Sequence, residues 1–210
     1  MNTELMFDYV VLGGGIVGVS TALSLITKHP DKRILLVEKE ESFAQHQTGH
    51  NSGVIHAGVY YEPGSLKAKF CREGLTETIK FCLLHKIPYQ QCGKLLVATN
   101  DTELKRMKEL YERCKSNDIE VEILNEKTLN EIEPHISGIG ALLVKSTGIV
   151  NYKLITKKMS EQFESLGGMF LLNTKIINLK EDEDKIQIIT SNETFSSRYL
   201  VCCAGLMADR

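Results

Sequence analysis

No apolar stretch in this sequence approaches the roughly 20 residues that a helix needs to cross a bilayer. The opening Met1-Asn2-Thr3-Glu4-Leu5 also lacks the basic and apolar regions of a secretory signal. Neither a membrane span nor export is therefore expected. Charge excess is missing too: the formal net charge is −2 and there is no basic run, which removes the electrostatic ground for binding nucleic acid. The six cysteines (Cys71, Cys82, Cys92, Cys114, Cys202 and Cys203) form no CxxC pair and have no histidines at zinc-site intervals. Asp182 and Glu183 stand without a further oxygen-rich cluster, so no metal site is expected. Internal repeats and low-complexity tracts are absent. These absences describe a soluble, cytoplasmic protein with reduced thiols, peripheral contact with the cytoplasmic membrane being left open.

With 210 residues and 42% hydrophobic content, the chain is long enough for one large domain or two small ones. Its most informative segment is Tyr9-Val10-Val11-Leu12-Gly13-Gly14-Gly15-Ile16-Val17-Gly18, a strand followed by a glycine turn and the start of a helix. Gly13 permits a sharp turn, and Gly15 lacks a Cβ, so that backbone can approach a pyrophosphate. The first amides of the helix, at Ile16 and Val17, and its dipole would meet the phosphate charge. Gly18 lets the helix pack closely on the strand. The helix reads from Ile16 to about Lys28, where His29-Pro30 stops it, and a second apolar run, Ile34 to Val37, ends in Glu38. Glu38 lies twenty residues past Gly18, the place from which an acid accepts hydrogen bonds from ribose hydroxyls, with Lys39 beside it. A carboxylate there repels a 2′-phosphate, which argues against NADP.

Beyond Glu38 comes a polar loop, residues 39–53. Helices are then expected from Ser65 to Lys86, through about Ser116 after the capping sequence Asn100-Asp101-Thr102-Glu103, and from Tyr152 to Leu166. Strands are expected at Leu95–Thr99, Val121–Leu124, Ala141–Val144, Met169–Leu172, in a hairpin of Lys175–Leu179 with Ile186–Ile189, and at Tyr199–Cys203. The pattern predicts an α/β fold: a Rossmann-like dinucleotide-binding domain from residues 1–86 plus 151–210, with an α+β, mainly antiparallel insertion at 87–150 forming part of a substrate domain.

A glycine turn does not separate NAD from FAD. The segment Thr48-Gly49-His50-Asn51-Ser52-Gly53-Val54-Ile55-His56-Ala57-Gly58 points to FAD, whose longer path needs more backbone that a ligand can approach closely. Asn51, Ser52 and the amides around Gly53 and Val54 can donate to phosphate or ring oxygens.

The run Gly49 to Tyr61, then Pro63-Gly64-Ser65-Leu66-Lys67-Ala68 and Cys71, resembles the L-2-hydroxyglutarate oxidase or dehydrogenase family, FAD enzymes of the wider D-amino-acid-oxidase and glycerol-3-phosphate-dehydrogenase group. Residues 133–152 and the closing Ala204-Gly205 resemble it as well. The resemblance implies oxidation of a small hydroxy acid, L-2-hydroxyglutarate, to 2-oxoglutarate by hydride transfer to flavin N5. The electrons would pass on to oxygen, a quinone or another carrier. With the contacts already expected at Gly13, Gly15, Ile16, Val17, Gly18, Glu38, Lys39, Thr48, Asn51, Ser52, Gly53 and Val54, the resemblance implies further cofactor contacts at Ala204 and Gly205. His56 and His50 are the candidate catalytic histidines, an imidazole titrating near working pH, although His56 also suits a role of shaping its loop. Tyr60, Tyr61, Lys67, Lys69 and Arg72 are weaker candidates for a substrate carboxylate. Three other readings stay open: a related flavin oxidoreductase acting on glycerol 3-phosphate, malate or an amino acid; a non-catalytic nucleotide-binding module; and an NAD-dependent dehydrogenase. The family is about twice as long as this chain. The isolated chain is therefore expected to hold FAD weakly or not at all, and to self-associate through exposed apolar surface.

Overall fold

The computed structural model describes residues 5–209. Its first segment holds β1 (Met6–Leu12), α1 (Ile16–Lys28) and β2 (Ile34–Val37). The middle holds β3 (Val54–Ile55), α2 (Leu66–His85), β4 (Tyr89–Gln90), β5 (Leu95–Ala98), α3 (Asp101–Ser116), β6 (Glu122–Asn125), α4 (Glu126–Ile132), β7 (Gly140–Leu143) and β8 (Gly148–Val150). The last segment holds α5 (Tyr152–Ser165), β9 (Met169–Leu171), β10 (Ile176–Glu181), β11 (Ile186–Thr190) and β12 (Thr194–Cys202). These pack as two compact units, one of residues up to 51 and from 152 onward, the other of residues 52–151.

The first unit is built on a six-stranded sheet in the order β10-β11-β12-β1-β2-β9. β12, β1, β2 and β9 run parallel, and the β10–β11 hairpin is antiparallel to β12. Parallel strands covered on both faces need apolar residues at consecutive positions, which is why Val10, Val11 and Leu12, and all of Ile34–Val37, are buried. On one face Val11, Ile34 and Leu36 pack with Val19, Ala22 and Ile26 of α1 and Phe163 of α5. On the other, Phe7, Val10, Leu35 and Val37 pack with Ile188 and Phe195, the two phenylalanine rings meeting edge to face at 5.9 Å. β12 starts five residues earlier than the expected Tyr199. Its first half, Thr194 to Arg198, reads as polar, yet Phe195, Ser196 and Ser197 are fully buried, the Ser197 hydroxyl donating to the Tyr199 carbonyl at 2.7 Å.

The second unit holds two three-stranded antiparallel sheets, β3-β8-β4 and β5-β7-β6. Met107 of α3 packs on Ala98 and Leu142, and Leu129 of α4 packs on Leu124 and Ala141. α4 has no counterpart in the sequence reading. It starts directly at the end of β6, where the Asn125 side chain caps it by accepting from the Thr128 amide at 2.9 Å. The packing also divides the chain differently from the sequence reading over residues 52–86. β3 pairs with β8, Leu75 of α2 joins the Ala57–Val59–Cys114–Val144 cluster, and Arg72 pairs with Asp118 at 3.0 Å, all within the second unit. Among the described residues, no helix is long and apolar enough to cross a membrane.

Candidate dinucleotide-binding site

The site of the first unit lies where β1 ends. Gly13 has φ +108°, a conformation that disfavours any residue with a Cβ, and a Cβ there would fall 2.4 Å from the Cys203 carbonyl oxygen. Its amide donates to the Val37 carbonyl at 2.8 Å. Gly18 meets the same turn from the helix side, because a Cβ on it would lie 1.8 Å from the Gly13 carbonyl oxygen. The close helix–strand approach expected of Gly18 is therefore present. Gly15 is the N-cap of α1, and a Cβ there would meet only Thr48 Oγ1, at 3.3 Å. Apart from that hydroxyl no other atom of the described residues crowds the position, so that a pyrophosphate can approach the backbone there.

Helix geometry leaves the first amides of α1 without intrahelical acceptors. The Ile16 amide donates to Thr48 Oγ1 at 2.9 Å, which leaves the Thr48 hydroxyl proton for a ligand oxygen. Among the described residues the amides of Gly15 and Val17 take no acceptor, and the Val17 side chain is 63% exposed. Two donors at the positive end of a helix dipole, beside a cradle that a single methyl group would fill, suit a dinucleotide pyrophosphate.

Glu38 closes the site. It is buried, with one carboxylate oxygen accepting from the Gly14 amide and the other from the Glu40 amide at 2.9 Å. A carboxylate offers about four lone-pair positions, so two remain for ribose hydroxyls. The sequence reading gave Gly14 no role. A Cβ on it would lie 2.6 Å from the Phe43 ring and 2.9 Å from Glu38 Oε2, so the middle glycine is what lets the acid dock against the turn. The only signal for this was a third glycine at a motif position where any residue is allowed. Lys39 is exposed and sits 3.6 Å from Glu40. Glu40 also accepts from His46 at 2.8 Å, a hydrogen bond that holds its carboxyl below the usual range.

The remaining expected residues divide between the units. In the first, β12 brings Cys203 against the turn, its amide donating to Leu12 at 2.8 Å, so that Ala204 and Gly205 follow directly at the carboxyl edge of the sheet. Asn51 Nδ2 donates to the Gln47 and Thr48 carbonyls, and His50 Nδ1 lies 3.0 Å from the His46 carbonyl oxygen, so both side chains brace their own loop. In the second unit Ser52 is exposed, Gly53 has φ +70° and accepts from the Val150 amide at 2.8 Å, and Val54 pairs with Ile149. The His56 side chain is exposed, and its carbonyl accepts from the Cys71 thiol at 3.2 Å. Burial pushes the thiols of Cys71, Cys82, Cys114 and Cys203 up, away from the reactive thiolate. Among the described residues no His, Cys, Asp and Glu cluster suits a metal ion.

Comparison with known proteins gives this geometry a family. Residues 8–210 match the DAO family, described as FAD dependent oxidoreductase. The chain is 50% identical over 206 residues to L-2-hydroxyglutarate dehydrogenase of Escherichia coli K12, which takes in 98% of this chain and 49% of that protein. It is 39% identical over 217 residues to the mitochondrial L-2-hydroxyglutarate dehydrogenase of Bos taurus, covering 97% of this chain and 47% of that one. The chain thus spans about half the length of the curated relatives it matches. Among solved structures, FAD-bound L-alpha-glycerophosphate oxidase of Mycoplasma pneumoniae superposes with a TM-score of 0.83 at 26% identity, covering 93% of this chain and 53% of that one. Glycine oxidase of Geobacillus kaustophilus, at 18% identity and TM-score 0.86 over 99% of this chain and 57% of its own, shows the shared fold alone. The chain belongs to the DAO family of FAD-dependent oxidoreductases.

Proposed function

We propose that this chain carries the dinucleotide-binding part of an enzyme that oxidises L-2-hydroxyglutarate to 2-oxoglutarate. The observation that carries the reading is the 50% identity to the Escherichia coli dehydrogenase over nearly the whole chain. FAD, when bound, supplies the two-electron acceptor. The chain's own residues do the rest. The Gly15 and Val17 amides and the Thr48 hydroxyl hold the pyrophosphate, and Glu38, steadied by the Gly14 and Glu40 amides, accepts from the ribose hydroxyls. The second unit serves the substrate, and its His56 takes the hydroxyl proton as a general base, with His50 the second candidate. Oxygen, a quinone or another electron carrier takes the electrons onward. The unpaired state of all six thiols supports a cytoplasmic location. Exposed Leu66, Phe70 and Leu84 on α2 support self-association, and a monomer in sedimentation velocity would remove that part of the proposal.

The test uses a chimera in which residues 1–210 replace the matching half of the Escherichia coli relative. Bleaching of its flavin absorbance on anaerobic addition of L-2-hydroxyglutarate supports the reading. A folded yellow chimera reduced by glycerol 3-phosphate and not by the hydroxy acid overturns it in favour of the second reading, which the glycerophosphate oxidase likeness favours.

A further inference from the structure

Lys94 and Tyr60 of the second unit bring an ammonium and a phenol together at the surface. Lys94 sits just before β5, its amide donating to the Val144 carbonyl at 3.1 Å and its carbonyl accepting from the Val144 amide at 2.9 Å, so its Cα is fixed by the sheet. Its side chain lies over the Tyr60 ring, Nζ 4.9 Å from the centroid and 3.5 Å from the phenolic oxygen. Among the described residues Lys94 is in no ion pair, a condition it shares with other lysines of the chain; what sets it apart is the phenol placed against its ammonium. An ammonium donating once to a phenol keeps two N–H groups, and the phenol, having accepted, keeps its O–H. Three donors and one uncompensated positive charge therefore meet at one place.

The Tyr60 loop is held as firmly as Lys94. Ala57 and Val59 are buried against Cys114 and Val144. Tyr61 closes a turn onto the Gly58 carbonyl at 3.1 Å, Arg113 Nη1 donates to the Tyr60 carbonyl at 3.3 Å, and Asn117 Nδ2 donates to the Tyr61 carbonyl at 2.8 Å. The Tyr60 side chain, 55% exposed, thus stands on a backbone tied to α3, with its hydroxyl beside Lys94. The cation–π contact holds the two side chains together without using the remaining N–H and O–H donors, which an anion can take.

We propose that Lys94 and Tyr60 bind a carboxylate of the substrate, with Arg113 and Asn117 as positioning residues for the tyrosine loop. The assignment rests on the hydroxy-acid reading above and deepens it: the enzyme takes a dicarboxylic acid, and this corner recognises one of its two charged ends. Charge-assisted bonds from an ammonium and a phenol to one carboxylate are short and strong, which makes them a basis for preferring a dicarboxylate over a neutral or monocarboxylate relative.

The probe is glutarate, titrated into the 210-residue chain and followed by nitrogen–proton correlation NMR, with neutral glutaramide as the control. Expected are shifts centred on Tyr60 and Lys94 with glutarate and none with glutaramide. Lys94→Met weakens glutarate binding at least about tenfold, Tyr60→Phe weakens it severalfold, and Lys94→Arg keeps most of it, each with an unchanged spectrum elsewhere. Absence of glutarate shifts in the parent chain, or equal affinity in Lys94→Met, overturns the proposal. The chimera separates this inference from its premise. If it oxidises L-2-hydroxyglutarate with an unchanged KM after Lys94→Met, the carboxylate site fails while the hydroxy-acid reading stands. If glutarate binding depends on Lys94 but the hydroxy acid reduces no flavin, the site stands and the reading fails.

Discussion

Single atoms separate the glycines that build the turn from the glycine proposed to serve its ligand. Gly18→Ala would press a methyl group onto the Gly13 carbonyl oxygen, which belongs to backbone and cannot rotate away. It is expected to cost about 3 kcal/mol or to prevent folding, measured by urea unfolding. Gly15→Ala meets only Thr48 Oγ1 at 3.3 Å and keeps a φ of −74°, so its stability cost should be about 1 kcal/mol or less. The same methyl group occupies the approach to the helix amides, and ADP affinity measured by calorimetry should fall at least about tenfold. Equal ADP affinity in Gly15→Ala would mean that the cradle holds no phosphate. Glu40 gives a second residue-scale prediction. Its hydrogen bond from His46 lowers the folded carboxyl pKa, so its contribution to stability is present above the unfolded value and is lost as pH falls through the folded one. His46→Ala should return the Glu40 titration, read by NMR, toward the ordinary carboxylate range and leave the alkaline side unchanged.

At the scale of elements, legibility followed how much of each element's signal was local. α1, α2, α3 and α5 were readable because caps and stops are local chemistry: Asn100 accepting from the Glu103 amide, Ser65 from the Ala68 amide, Pro30 just past the end of α1. β3, β4 and β8 are two or three residues long, too short for any period, and exist only because they pair with one another. The first half of β12 was hidden because its serines are buried by tertiary packing that no local pattern announces. In the site, the glycine turn and Glu38 were legible from spacing, while the Thr48–Ile16 and Glu38–Gly14 bonds, and the Lys94–Tyr60 pair, bridge residues 24 to 34 positions apart and depend on the fold. α2 shows how burial grades stability. Only Cys82 of its twenty residues is fully buried, and Leu66, Phe70 and Leu84 are exposed. Local opening is cheapest where few apolar contacts are lost. Trypsin is therefore expected to cut first at Lys67, Lys69 or Arg72, before Lys28 of α1 or Lys157 of α5, as read by mass spectrometry of early fragments. First cuts in α1 would contradict this ordering.

At the scale of the whole molecule, each unit has its own core, and the elements proposed to meet the adenine end of the cofactor all lie in the first. The glycine turn, Glu38, Thr48 and the Cys203–Gly205 edge are supported by the two clusters on either side of the six-stranded sheet. The clusters around Met107, Leu129 and Val144 belong to the second unit and include none of these residues. A ligand stabilises the structure that binds it by mass action, about 2.7 kcal/mol at a hundred times its Kd. ADP carries the pyrophosphate and ribose groups that Gly15, Val17, Thr48 and Glu38 are placed to meet, but no flavin ring. At that concentration it should slow hydrogen exchange of the most protected amides in β1, β2 and β12 by about a hundredfold, while those in β5, β6 and β7 keep their rates. FAD in place of ADP adds only whatever hold the chain has on the ring. Similar protection by both ligands would place the cofactor's affinity in the first unit's adenine end. Protection by FAD but not ADP would show that the glycine turn does not bind the pyrophosphate independently, and would overturn the assignment of Gly15, Thr48 and Glu38 to that end of the cofactor.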